Sequence, residues 1–106
     1  ALKYKNIDRR VSNKESLELV CKVGSLGTAI GEFKDKEKGE GKFRWFIADE
    51  VHEIVPEVVG LVDGVIDNIN YDGMLPDAYA AIAELKRQID ELKKPWSKKL
   101  WEKFNG

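Results

Sequence analysis

A single cysteine, Cys21, rules out an intrachain disulfide, and with a single histidine, His52, it leaves too few ligands for a Cys/His zinc site. Cys–His nucleophilic catalysis would require those two residues to meet. Cys21 closes the run Leu17–Cys21, among apolar neighbours, and is expected to be a small buried hydrophobe. No apolar stretch approaches the roughly 20 residues that span a bilayer, and no leader peptide opens the sequence. A soluble protein made in a cytosol is therefore expected. Charge of one sign is lacking too. Against 18 Lys and Arg stand 19 Asp and Glu, and a net charge of -1 argues against a nucleic acid or an acidic membrane held by bulk charge. Gly24, Gly27 and Gly31 lack the lysine and the strand–helix setting of a phosphate loop, so no nucleotide cofactor is expected, and no metal.

What is present fits one small domain. Its 106 residues are 42% apolar and 35% charged, too apolar for a disordered chain, yet short enough that oligomerisation would usefully add buried surface. The start, 1–10, is basic and carries no clear element. Ser12 or Asn13 can cap a helix from about Lys14 to Lys22, with Leu17, Val20 and Cys21 on one face. Gly24–Gly31 reads as a strand bounded by turns, and Lys34–Lys42, alternating charge with glycine, as a solvated hairpin loop. Phe43–Ile47 is dense in aromatic and branched residues and predicts a strand. Asp49 then starts a short helix whose Val51, Ile54 and Val55 face a core, with Pro56 near its end. Val65–Tyr71 is a further strand, between Asp63-Gly64 and Asp72-Gly73 turns.

From Leu75 the period changes. Leu75, Ile82, Ile89 and Trp96 are seven apart, and Ala78, Leu85 and Leu92 each follow by three, an a/d seam over three heptads. Pro76 suits the first turn of such a helix, and Pro95 should end it. Beyond, Trp96, Leu100, Trp101 and Phe104 keep helical spacing, giving a short helix with an aromatic face. That face can pack on the same domain, on a sister chain, or less readily on a membrane. The seam can equally be buried on the domain or against copies of itself. Ile at a with Leu at d would by itself favour two strands.

The passage Phe46-Ile47-Ala48-Asp49-Glu50-Val51-His52-Glu53-Ile54-Val55-Pro56-Glu57-Val58-Val59 resembles the "F-I-A-Q-E-V-x-E-x-x-P-E-L-V" signature of the endosialidase-type C-terminal intramolecular chaperones of phage tail fibres and tailspikes, a family of self-cleaving peptidases. Ile69-Asn70-Tyr71-Asp72-Gly73-Met74-Leu75-Pro76, followed by Ala81-Ile82-Ala83-Glu84-Leu85, is similar to that family's "V-D-Y-D-G-L-I-P…A-I-x-E-L". Lys3-Tyr4-Lys5-Asn6-Ile7 is similar to its "R-x-K-x-x-I" start. The resemblance covers about Lys3 to Leu92. It departs at Trp45, where glycine is common, and at Asp49, where Gln is usual. The tail beyond Pro95 has no counterpart in the family pattern. The family's nucleophilic serine would fall immediately before Ala1, outside this sequence.

The resemblance implies an α+β fold: a small β-sheet with short helices and a long C-terminal helix that assembles with sister chains into a trimer. Residues 1–74 would be the chaperone and autoprotease core, and residues 75–106 a helical segment with the seam and the aromatic tail. The implied partners are two further copies, in a homotrimer, and the upstream β-stalk of the same polypeptide, with no nucleic acid and no membrane. The setting would be the host cytoplasm during phage assembly, or the virion tail if the domain is retained. A eukaryotic relative uses the domain to trimerise and release a membrane-bound transcription factor. Intertwined β-stalks have high contact order and fold slowly. A preformed trimer raises the strands to about millimolar effective concentration and fixes their register, and release of the chaperone then leaves the stalk kinetically trapped.

The implied chemistry is single-turnover Ser-Lys cleavage at the N-terminal boundary. A serine hydroxyl needs a base to take its proton, and a lysine serves when burial or nearby cations favour its neutral form. By the match Lys5 takes that role, with Lys3 and Arg9 as the neighbouring cations. Ser12, Ser16, Ser25 and Ser97 do not match the nucleophile and read as caps and loop residues. His52 and Asp49 can share a helix face, as base or metal ligand, but nothing else in the sequence converges on them, and a surface or interface histidine is the plainer reading. Glu50 falls where the family keeps an acid; orienting the lysine, pairing with Arg44 and contacting a neighbouring chain stay open. Two other functions remain: a retained structural tip or receptor-binding module without cleavage, and an unrelated α+β domain.

Overall fold

The computed structural model describes residues 5–105; Lys3 and Tyr4 of the motif start lie outside the described residues, as do the side chains of 96, 97 and 99. The fold is α+β, with four helices and two small antiparallel sheets. An extended segment leads to α1 (Asn13–Ser25), then come β1 (Ala29–Gly31), a 3₁₀ turn at Lys36–Lys38 and β2 (Phe43–Trp45). Next are α2 (Ala48–Ile54), a 3₁₀ turn at Pro56–Val58, β3 (Val59–Val62), β4 (Val65–Ile69), α3 (Tyr71–Lys93) and α4 (Trp96–Asn105).

Strand β1 pairs with β2, so the charged stretch between them is the hairpin loop its composition predicts. The second hairpin, β3–β4, turns at Asp63 and Gly64, whose φ of 51° and 79° are the left-handed pair that a two-residue hairpin turn demands. Instead of one small sheet there are two separate hairpins. Strand β3 is not predicted, because Val59–Val62 follows the Pro56–Val58 turn directly and carries no alternation.

Five valines make the core: Val23 from α1, Val51 and Val55 at α2, then Val58 and Val59, ringed by Leu19, Leu26, Phe46, Ile54, Ile66, Ile69 and Met74. Val51 is wholly buried, as the α2 pattern predicts. Burial of one such side chain is worth about 1.5–3 kcal/mol, and so short a roll of buried residues makes a thin core. Two hydrogen bonds tie the hairpins to the start of α3: Asn70 N–H donates to the Val58 carbonyl at 2.7 Å, and Phe46 N–H donates to the Tyr71 hydroxyl oxygen at 3.0 Å.

Several expectations are corrected. Helix α1 runs on to Ser25, so β1 is confined to three residues. The inward face of α1 is Ser16, Leu19, Val23 and Leu26; Cys21 lies about half a turn from its centre and is exposed. The pattern misled because Ser16, polar by type, is buried with a partner: its hydroxyl donates to the Asp77 carboxylate at 2.8 Å. It is neither a cap nor a loop residue. Helix α3 starts at Tyr71, capped by the Asn70 side chain, which accepts from Gly73 N–H at 3.1 Å. Asp72-Gly73 is thus the first turn of a helix, and Pro76 sits inside it, where the ladder forgoes one bond to the Asp72 carbonyl.

Candidate functional site

Helix α3 has two long faces with opposite chemistry. The face against α1 carries Asp77, Ala81 and Glu84, small or polar, and Ala81 and Glu84 are buried. The Glu84 carboxylate is held by Arg87, whose Nη2 lies 2.8 Å away and whose Nε donates as well, and by the Gln88 amide at 3.2 Å. Those bonds, Arg87 first, keep its pKa at about 2, well below the ordinary carboxylate value. The other face is the predicted seam; Ala78 is half-buried there, but the larger side chains are open to solvent: Leu75 is 51% exposed, Ile82 63%, Leu85 46% and Ile89 48%. In the single chain much of the surface of Leu75, Ile82, Leu85 and Ile89 is therefore left uncovered. Trp96, which would continue it, has its side chain outside the described residues.

The elbow to α4 is clamped by Lys94, whose ammonium sits 3.0 Å from Glu91 and 2.8 Å from Glu102. The hydrogen bond from Lys94 lowers the Glu102 pKa, and the two carboxylates raise that of Lys94. Beyond the elbow, Trp101 and Phe104 are exposed. The whole molecule is correspondingly open. Its radius of gyration is 19.2 Å, where a compact chain of this length would have about 13 Å. Its accessible surface is 8939 Å², against about 6,000 Å² for a compact monomer of this size.

Lys5 lies in the extended segment before α1 and is exposed. Of the two cations expected beside it, Lys3 is outside the described residues. Arg9 is engaged elsewhere, in a pair with Glu15 at 3.0 Å that raises the pKa of its guanidinium. This segment borders a cleft of about 340 Å³ between the chain start and α1, lined by Asp8, Arg9, Glu15, Ser16 and Asp77, and Lys5 does not line it. Ser12 caps α1 as expected, accepting from Glu15 N–H at 3.1 Å, and the Ser25 hydroxyl donates to the Cys21 carbonyl. Ser97 has its side chain outside the described residues.

The acids of α2, Asp49, Glu50 and Glu53, are exposed and His52 is half-buried. Among the described residues Glu50 makes no ion pair, with Arg44 or any other cation, and no group of three metal-ligating side chains converges. Sequence reasoning missed Asp77 as the partner of Ser16 on α1, and Glu84 as a buried acid held within α3 by Arg87 and Gln88. The only signal for them was their i, i+7 spacing on the side of α3 away from the seam. No helix among the described residues is long and apolar enough to cross a membrane. No protein-family model and no curated protein matches the chain.

Proposed function

We propose that this chain is an intramolecular chaperone: it trimerises through α3, sets the register of an upstream β-stalk of a phage tail fibre or tailspike on the same polypeptide, and is released by Ser-Lys autoproteolysis with Lys5 as the base. The observation that carries the assembly half is the uncovered seam of α3, Leu75, Ile82, Leu85 and Ile89, on a chain that exposes about half as much surface again as a compact monomer. Two interfaces of standard size, about 800 Å² per partner each, would take up over half of that excess. The motif resemblance supports the rest. The domain needs no cofactor and no metal, and acts in the host cytoplasm during assembly.

A second reading, a structural tip retained on the virion without cleavage, is favoured by one observation. Lys5 is exposed, and Arg9, one of the cations expected beside it, is paired with Glu15 at 3.0 Å. One experiment separates the two. A precursor carrying its upstream segment and a serine immediately before Ala1 is run on a denaturing gel beside its Lys5→Ala variant. Release of a fragment of this chain's mass by the wild type alone supports the chaperone with Lys5 as base. Two intact bands support the retained tip, and cleavage in both removes Lys5 from the chemistry. Sedimentation of the isolated chain tests the assembly: a strict monomer at high concentration overturns both readings.

A further inference from the structure

The seam and the chain start leave one built feature of the fold unused. Between the two hairpins lies a cavity of about 290 Å³, walled by Phe33, Trp45, Phe46 and Tyr71 and faced by Asp67 and Asn68 on β4. The aromatic wall is ordered by its own stacking. The rings of Phe33 and Trp45 lie 5.7 Å apart at 23°, and Phe43 leans on both, at 5.3 and 5.7 Å.

The polar side is a deviation from the regular ladder. Gly60 pairs with Asn68 and Leu61 with Ile66, so Asp67 is an extra residue, bulged out of the β3–β4 pairing. Bulges of this kind redirect a side chain, and they are common beside binding sites. Here the redirected carboxylate is also fixed, because the Asn68 amide donates to Asp67 at 2.8 Å. The Asn68 side chain lies so close over Gly60 that a Cβ there would come within 2.5 Å of its oxygen, so glycine at 60 is what lets Asn68 hold that pose. Asp67 has no ion-pair partner among the described residues, and no lysine or arginine lines the cavity.

We infer that this cavity binds a quaternary ammonium head group, held between the aromatic wall and the Asp67 carboxylate. The charge argument selects a cation. Aromatic faces are electron-rich and attract a cation within about 6 Å, and the one charged group of the lining is an unneutralised carboxylate. The volume is at the low end for small-molecule sites, which suits a head group more than an extended ligand. This reading is independent of trimer formation and of cleavage.

The test is an amide-correlation NMR titration of the whole chain with choline, at constant ionic strength. It reads the Trp45 indole signal, identified by its loss in Trp45→Phe, and the Asn68 side-chain amide. A saturable shift of both is expected, with the neutral isostere 3,3-dimethylbutan-1-ol producing none. In Asp67→Asn, whose exposed position leaves the fold intact, choline affinity should fall about fivefold, as for loss of one partly exposed charge contact. A pentapeptide bearing trimethyl-lysine is the second probe: saturation by either cation supports the site, and the tighter of the two names the carrier. No saturable shift with either, an equal shift with the neutral alcohol, or unchanged affinity in Asp67→Asn overturns the proposal. Saturation by methyl glucoside with no response to choline would overturn it in favour of a sugar site.

Discussion

The region around Val51 and the region along α3 bury their surfaces by different rules. Around Val51, five valines from α1, α2 and the start of β3 close on one another, as an ordinary apolar core does. Along α3 the side turned inward holds a serine–aspartate hydrogen bond, an alanine and a glutamate bound by arginine, while leucine and isoleucine look outward. A helix normally turns its apolar stripe to the core and its charges to water. The contrast teaches that the domain folds around α2 with little help from the strongest hydrophobic pattern in its sequence. Much of that pattern is exposed in the single chain, and the proposed assembly would bury it beside a thin valine core.

The largest effect should come from the first region. Val51→Asp places an unpaired carboxylate at a wholly buried position, a change expected to cost more than about 4 kcal/mol. Urea titration followed by circular dichroism should show no cooperative transition. A normal transition would mean that the valine cluster is not the core.

Next in size is the opposite substitution on α3. Ile82→Asp with Ile89→Asp puts two carboxylates at positions already 63% and 48% exposed. The helical signal of the single chain should persist, while sedimentation shifts to the monomer. If assembly is unchanged, the seam is not the interface. If the chain unfolds as completely as with Val51→Asp, the two regions are not separable.

A smaller effect tests the polar side of α3. Glu84 has a folded pKa of about 2 against an ordinary 4.5. A depressed carboxylate contributes stability that is fully present above its unfolded value and is lost as pH falls through its folded value. The urea midpoint of the wild type should therefore decline between about pH 4.5 and pH 2. In Glu84→Gln the decline should be shallower, from a lower starting midpoint at neutral pH, because a neutral amide cannot accept the bidentate Arg87 fork as strongly. Equal slopes would mean that the Arg87–Glu84 pair adds nothing to the stability of the fold.

These same residues show where the sequence was legible. Val51, Ile54 and Val55 repeat at helical spacing against one core and were found at once, as were the Asp63-Gly64 turn and the long helix. The seam was visible as a period but its partner was not, since periodicity names a face and not what covers it. The α1 face was misread because its inward side depends on Ser16 finding Asp77, 61 residues away. No local pattern carries such a pairing. For the same reason Cys21, apolar by company, turned out exposed. Of the candidate site, Lys5 rests on a motif match alone, whereas the cavity of Asp67 and Trp45 depends on a bulge and on two hairpins meeting, neither of which a single pass along the chain reveals.

The smallest effect concerns the helix that serves both regions. Helix α1 gives Val23 to the valine core and Ser16 to α3, so a loss at its start should weaken both together. Ser12 accepts from Glu15 N–H at 3.1 Å, and its carbonyl takes Ser16 N–H at 3.0 Å, so the cap begins the helix directly upstream of the buried serine. Ser12→Ala should cost about 1 kcal/mol, the usual worth of such a cap. In a chain of this length that corresponds to about 5 °C in melting temperature. Arg9→Ala, which removes only the exposed pair with Glu15, should cost well under 1 kcal/mol. The order matters more than the values: if Arg9→Ala proves the more damaging, the segment before α1 is held against the cleft by its charge, and Arg9 belongs with the packing of the two regions and not with the chain start.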